Sequence, residues 1–339
     1  MKKVLIIGPA WVGDMVMSQC LYRWMKSQNP QLWISVMAPS YTLPLLQAMP
    51  EVDEAIAVDF PRRKLSFFKR RALGRRFKDR QFDQAIVLPN SWKSALLPFF
   101  AKIPQRTGFV GEFRYGLLND IRRLDPKKYP RMIDRFCALA FSNQAKNFPT
   151  EWPLPHLVLL PEACEKTLKK YEIIKDSKLL ILCPGAEFGP AKQWPAEYFA
   201  EYASKKIREG WKVWILGSKK EEEISDRIIN FLQEKQEEVV NFCGKTSLDE
   251  AMVLLLLADL VISNDSGLMH IASALERPLI ALYGSTSPRF TPPLSSTAKV
   301  IQLNLFCQPC FKRVCPFEAE DPRHMACLRN LRPELLEQK

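Results

Sequence analysis

The stretch Leu260-Val261-Ile262-Ser263-Asn264-Asp265-Ser266-Gly267-Leu268-Met269-His270 joins a short apolar run to two helix-initiating polar residues, a glycine and then the small-residue run Ile271 to Leu275. That order reads as a buried strand ending in a ligand-facing turn that feeds a helix, the repeating unit of a parallel α/β sheet. The same pattern recurs on both sides of it. Leu179 to Cys183, Val213 to Leu216, Val239 to Phe242 and Leu279 to Leu282 are apolar runs of strand length with helical patterns between them. Toward the N-terminus the series continues with Val4 to Ile7, Trp33 to Met37, Ala55 to Val58, Gln84 to Leu88 and Thr107 to Val110. A proline-rich connection divides the two series, from Phe148-Pro149 through Trp152-Pro153-Leu154-Pro155 to Pro161, as expected of a linker. The expected fold is α/β, two doubly wound domains at residues 1–155 and 156–339.

In open α/β sheets ligands bind beyond the carboxyl ends of the strands, so the loops there are where chemistry is sought. After Leu260 to Ile262, Asp265 and Ser266 start a helix, Gly267 lets a ligand approach the backbone, and the free N–H groups of the first turn favour an anion. His270 follows Ser266 by one helical turn, on the same face, and offers a further donor. The loop Pro184-Gly185-Ala186-Glu187-Phe188-Gly189-Pro190-Ala191-Lys192 carries glycines and ends in a cation, which suits a diphosphate. The turn Tyr283-Gly284-Ser285-Thr286-Ser287-Pro288 brings hydroxyls to the same edge. The first loop, Gly8-Pro9-Ala10-Trp11-Val12-Gly13-Asp14-Met15, has P-loop glycine spacing, but Asp14 and Met15 stand where Lys and Ser or Thr are needed. A carboxylate there repels phosphate, so an ATPase reading fails, and the missing third glycine removes a dinucleotide fingerprint. Asp14 is then either a general base or the N-cap of a helix beginning near Met15.

Composition narrows the class. The chain has 339 residues, 47% of them hydrophobic, with 49 Lys and Arg against 37 Asp and Glu. Residues 1–155 hold 25 basic and 12 acidic side chains, a net +13, whereas residues 156–339 are at −1. So large an apolar fraction argues for folded cores rather than a disordered basic tail. The most apolar run, Ala251 to Ser263, is broken by Asp259 and too short for a membrane span. Met1-Lys2-Lys3 precedes only four apolar residues, too few for a signal peptide, so a cytoplasmic protein is expected. Cys20, Cys137, Cys164, Cys183 and Cys243 are scattered singly, as buried thiols in a reducing compartment would be.

With these residues in view, the chain resembles the bacterial ADP-heptose:lipopolysaccharide heptosyltransferases, glycosyltransferase family 9. The resemblance runs through the Gly8 to Met15 loop, Leu88-Pro89-Asn90-Ser91-Trp92-Lys93-Ser94-Ala95, Arg106-Thr107-Gly108-Phe109, Arg114-Tyr115-Gly116-Leu117-Leu118-Asn119-Asp120, the Pro184 to Lys192 loop, Asn264 to His270, and Phe290-Thr291-Pro292-Pro293-Leu294. It implies a GT-B fold of two facing Rossmann-like domains, an N-terminal one for the acceptor and a C-terminal one for ADP-heptose. It also implies inversion at the anomeric carbon and no essential metal. Carried over residue by residue, Asp14 is the base and Lys192 the counter-charge to the departing diphosphate. Asp265 binds donor-sugar hydroxyls, and Ser266, Gly267 and His270 hold phosphates. Gly217 and Ser218, with an acid among Glu221 to Glu223 placed at Glu222, contact adenosine. Acceptor contacts are expected at Asn90, Lys93, Arg62, Arg63, Arg70 and Arg114. The branch that transfers to the first heptose of the inner core matches best; the alternative is a Kdo acceptor.

Between Arg62 and Arg80 lie ten basic residues against the single acid Asp79. Nucleic-acid binding is the first alternative raised by such a run. However, Leu65, Phe67, Phe68, Leu73 and Phe77 are spaced as one apolar face of an amphipathic helix, which suits an anionic membrane surface or a phosphorylated glycolipid. A nucleic-acid reading also leaves Asp14, Lys192 and Asn264 to His270 unexplained, and a sugar-nucleotide epimerase would not need the basic half. The expected partners are thus ADP-heptose, inner-core lipopolysaccharide and the cytoplasmic face of the inner membrane, met peripherally. Finally, Cys307, Cys310, Cys315 and Cys327 have spacing that could furnish a four-thiolate structural zinc site, or could stay as reduced thiols.

Overall fold

The computed structural model describes residues 1–61, 64–142, 148–149 and 151–337. They form two compact units, Met1–Val158 and Leu159–Lys339. The first unit runs β1 (Lys3–Ile7), α1 (Val12–Gln28), β2 (Trp33–Ala38), α2 (Leu43–Gln47), β3 (Glu54–Ala57), α3 (Phe67–Phe77), β4 (Gln84–Val87), α4 (Leu96–Phe100), β5 (Gln105–Phe109), β6 (Asp120–Arg122) and α5 (Met132–Ala138). Its six strands pair in parallel in the order β3-β2-β1-β4-β5-β6. Val4 of the central β1 faces Ile34 on one side and Gln84 on the other. The interior of β1 and all of β4 are buried, as strands covered by helices on both faces must be.

The second unit runs α6 (Pro161–Lys170), β7 (Leu179–Cys183), α7 (Ala196–Arg208), β8 (Lys212–Ile215), α8 (Glu222–Leu232), β9 (Val239–Asn241), α9 (Leu248–Leu256), β10 (Leu260–Asn264), α10 (Gly267–Ala274), β11 (Leu279–Tyr283), β12 (Ala298–Gln302) and α11 (Ala326–Arg329). Its sheet, also parallel, has the order β12-β11-β10-β7-β8-β9. Counted from the unit's own first strand this is the 3-2-1-4-5-6 order of the first unit, the doubly wound arrangement of a Rossmann domain. Leu180, Leu182, Ile262 and Leu282 from three adjacent strands pack under Phe199 and Trp194 to make its core. The structure therefore has the two Rossmann-like units of the expected fold. Ten strands stand where the apolar runs placed them, and two more, β6 and β12, lie at sheet edges.

The proline-rich connection is fastened to the first unit. Gln19 clasps His156 through two hydrogen bonds, Nε2 donating to the His156 carbonyl at 2.6 Å and Oε1 accepting its N–H at 2.9 Å. Beyond it, the Val158 N–H donates to the Ala48 carbonyl, which is why the chain belongs to the first unit as far as Val158. Among the described residues no helix is long and apolar enough to cross a membrane.

Candidate active site

Each sheet reverses its winding at one place, between β1 and β4 in the first unit and between β7 and β10 in the second. Such switch points leave a crevice beyond the strand ends, and the candidate site residues gather at both.

In the first unit the crevice is a cleft of about 650 Å³ lined by residues that include Gly8, Trp11, Asp14, Asp59, Arg70, Asn90 and Lys93. Asp14 sits in the first turn of α1, whose N-cap is Trp11. The helix starts earlier than expected, so Asp14 is not its cap; three residues in, its carboxylate still lies at the positive end of the helix. Arg70 also lines the cleft but is held. Its Nε donates to the Leu65 carbonyl at 2.9 Å, Nη1 to the Lys93 carbonyl at 3.2 Å, and the guanidinium lies 3.7 Å over the Phe60 ring. Burial lowers its pKa from the usual value. Ser40 N–H donates to Asp59, which holds that carboxyl below its ordinary range.

Arg114 corrects an expectation. It is 0% exposed, and its Nη1 donates to the Pro89 carbonyl at 2.6 Å while Nη2 donates to Asn90 Oδ1 at 3.3 Å and to the Phe109 carbonyl. Burial pulls its pKa down to about 10. A guanidinium spent on these acceptors does not reach an acceptor substrate; it shapes the loop that presents Asn90. Gly111, at φ +48°, supports the same loop, since a Cβ there would stand 2.3 Å from the Asn90 carbonyl oxygen. Arg62 and Arg63 lie outside the described residues.

In the second unit, Lys192 follows β7 and Asp265 follows β10, so the two reach across the switch point. Lys192 Nζ lies 2.5 Å from Asp265 Oδ2, with the side chains 11% and 6% exposed. Thr286 Oγ1, from the turn after β11, donates to the same carboxylate oxygen at 2.5 Å. Asn264 ties the strand ends together, its Nδ2 donating to the Pro184 carbonyl at 2.7 Å and its Oδ1 accepting the Trp194 N–H at 3.1 Å. Ser266 is the N-cap of α10 and accepts from the Met269 N–H, while Gly267 opens that helix. His270 is buried beneath them. Burial holds its imidazole down at about 4, Lys192 adding to the effect and Asp265 opposing it, so it is neutral at pH 7.

The acid beside Gly217 and Ser218 is Glu221. Its Oε2 accepts from the Ser218 N–H at 2.7 Å and the Ser218 hydroxyl at 2.6 Å. Cβ atoms added to Gly185 or Gly217 would stand 3.0 Å and 2.8 Å from Glu221 atoms. Glu222, the residue expected there, is exposed and lies instead against Gly244. Along a helix start one residue turns the side chain by about 100°, so a one-residue uncertainty in sequence becomes a change of face.

Sequence reasoning missed a strut. The Phe311 N–H donates to the Ser285 carbonyl at 2.7 Å and the Ala191 N–H to the Arg313 carbonyl at 3.0 Å. Gln308 Nε2 donates to the Gly284 carbonyl at 2.9 Å. Residues 308–313 thus brace both the loop of Lys192 and the turn of Thr286. Cys307, Cys310, Cys315 and Cys327 around this segment line a cavity of about 20 Å³, all as free thiols, and the Met325 N–H donates to Cys315 Sγ. Among the described residues no three His, Cys, Asp or Glu side chains are grouped so as to hold a metal ion.

These features were compared with known proteins. The family model of glycosyltransferase family 9 (heptosyltransferase) matches residues 70–320. The chain is 47% identical over 306 residues to Lipopolysaccharide heptosyltransferase 2 of Escherichia coli K12, covering 89% of this chain and 88% of that one. It is 48% identical over 306 residues, with the same coverage, to Lipopolysaccharide heptosyltransferase 2 of Salmonella typhimurium. Among solved structures, E. coli ADP-heptose LPS heptosyltransferase II superimposes with a TM-score of 0.87 at 42% identity, covering 99% of this chain and 97% of that one.

Proposed function

The chain belongs to glycosyltransferase family 9, the heptosyltransferases, and from that premise we propose that it transfers heptose from ADP-L-glycero-D-manno-heptose, with inversion, to the first heptose of the lipopolysaccharide inner core. The observation that carries the choice of acceptor is the near-full-length identity with relatives that bear the name heptosyltransferase 2.

The first unit takes the acceptor and the second the donor. The acceptor hydroxyl oxygen attacks the anomeric carbon, the bond from that carbon to the diphosphate oxygen breaks, and its electron pair leaves on ADP. Asp14 receives the hydroxyl proton. Its support is its place on the wall of the cleft, in the first turn of α1. A positioned base contributes about 10² to 10⁴-fold to rate. Asn90, Lys93 and Arg70 line the same cleft and orient the acceptor.

Lys192 meets the charge that develops on the departing diphosphate, an effect of about 10² to 10³-fold for a well-placed group. Its partner Asp265 holds the ammonium at the switch point and, with Thr286, is aligned for donor-sugar hydroxyls. Ser266, the first-turn N–H groups of α10 and the neutral imidazole of His270 hold the phosphates. Gly217 and Ser218, with Glu221 rather than Glu222, take the adenosine. The enzyme works peripherally at the cytoplasmic face of the inner membrane, where the net +13 of residues 1–155 meets anionic lipid.

Mass spectrometry of products tests the acceptor choice, using ADP-heptose with core acceptors that carry either no heptose or one. Addition to the one-heptose acceptor is expected. Addition only to the heptose-free Kdo acceptor would assign the first transfer instead.

A further inference from the structure

The first unit has a second concavity that the reaction does not use. It is a groove of about 800 Å³ lined by Phe67, Arg71, Arg75 and Lys78 on one side and Phe99, Phe100, Lys102 and Arg106 on the other. Five of these eight residues are cations, and none of the described residues that line it is a carboxylate. The active-site cleft, by contrast, includes Asp14 and Asp59.

The sequence makes this groove at a close helix crossing. Gly74 lets α3 press against α4, for a Cβ there would stand 2.7 Å from Phe100 Cβ. Phe67 and Phe99 each pack edge-on against Phe100, with centroids 5.5 and 5.4 Å away, and give the groove an aromatic floor. Arg106 is fixed at the rim without neutralisation, its Nε and Nη1 donating to the Leu117 and Ile103 carbonyls at 2.7 and 2.6 Å. Next to the groove-lining Phe67, which it meets edge-on at 5.6 Å, Phe68 is 78% exposed, and Leu65 on the same segment is 46% exposed. The structure thus corrects the single apolar face expected of this segment. Phe77 and Leu73 pack on the core, while Phe68 and Leu65 are exposed. Exposed apolar side chains on a segment whose groove cations have no ion pair among the described residues suit an interface that is anionic outside and apolar within.

We propose that this groove is a headgroup site for anionic phospholipid, through which the first unit seats on a bilayer with Phe68 entering the interface. The proposal rests on the reading of the acceptor as a membrane-anchored glycolipid. Helix α3 then serves two surfaces, Arg70 lining the active-site cleft and Arg71 the groove. Docking by one flank presents the other to the headgroup layer.

The test is co-sedimentation of the full-length protein with phosphatidylcholine vesicles that contain or lack phosphatidylglycerol, with neither ADP-heptose nor acceptor present. Its outcome is thereby separate from that of the transferase reading. Wild type is expected to bind only the anionic vesicles. The Arg71→Gln/Arg75→Gln double variant should bind them roughly 25-fold more weakly, at about 5-fold per cation removed. Phe68→Ser should weaken binding without changing its salt dependence. Turnover on a delipidated, soluble acceptor should be unchanged in both variants, which also shows that they are folded. Equal binding of wild type and double variant to anionic vesicles would overturn the proposal. So would tighter binding of double-stranded DNA or RNA than of these vesicles at equal salt, lost in the same variant.

Discussion

Lys192 and Asp265 hold each other across the switch point of the second sheet, so the loss of each is read by the kinetic constant that it moves. Lys192→Ala should lower kcat at least about 100-fold with every acceptor, because the charge it meets belongs to the leaving group. An effect confined to acceptor KM would remove Lys192 from that role. His270 gives a stability prediction. Its imidazole titrates near 6.5 when unfolded and at about 4 in the fold. The unfolded chain therefore takes up a proton first as pH falls. Stability from this residue is complete above about pH 6.5 and is lost toward pH 4, about 2 kcal/mol of it between pH 7 and 5. Urea unfolding should show that loss in wild type and not in His270→Gln; parallel slopes in the two would contradict it. At this scale the placement of Asp14, Lys192 and Asp265 at switch-point loops was legible because each follows a strand end. Arg114 was not, since burying a guanidinium depends on carbonyls of Pro89 and Phe109 converging from distant loops.

Among elements, the inner strands and the edges β3 and β9 were legible, and the edges β6 and β12 were not. Runs such as Leu179 to Cys183 are apolar throughout because both faces are covered. Asp120–Arg122 and Ala298–Gln302 each face a neighbour on one side only and mix charged with apolar residues, so no periodicity marks them. The brace at residues 308–313 carries no pattern, because it works through backbone groups of irregular chain and the single side chain of Gln308. Its role is testable at Gly189, where a Cβ would stand 2.5 Å from the Arg313 carbonyl oxygen. Gly189→Ala should push the Lys192 loop off its brace, costing about 1 to 3 kcal/mol of stability by overpacking and lowering kcat about 10-fold or more. Acceptor KM should stay within a few-fold. Wild-type kcat in a destabilised Gly189→Ala would make the contact structural only.

At the scale of the whole molecule, two units of one topology differ in charge, net +13 over residues 1–155 against −1 for the rest. The second needs no surplus, since a diphosphate can be met by Lys192, helix N–H groups and hydroxyls within a few ångströms. In the proposed reaction the surplus of the first unit serves a larger, anionic partner, and a sum of many weak surface attractions is sensitive to salt. The central claim is therefore a division of labour, with the base in one unit and the donor site in the other. Asp14→Asn, nearly isosteric, tests it most directly, with kcat and the Kd for ADP measured on the same preparation. The account predicts a fall in kcat of at least about 100-fold with ADP affinity unchanged within a few-fold. A kcat near wild type, or ADP affinity lost in proportion to kcat, would contradict it.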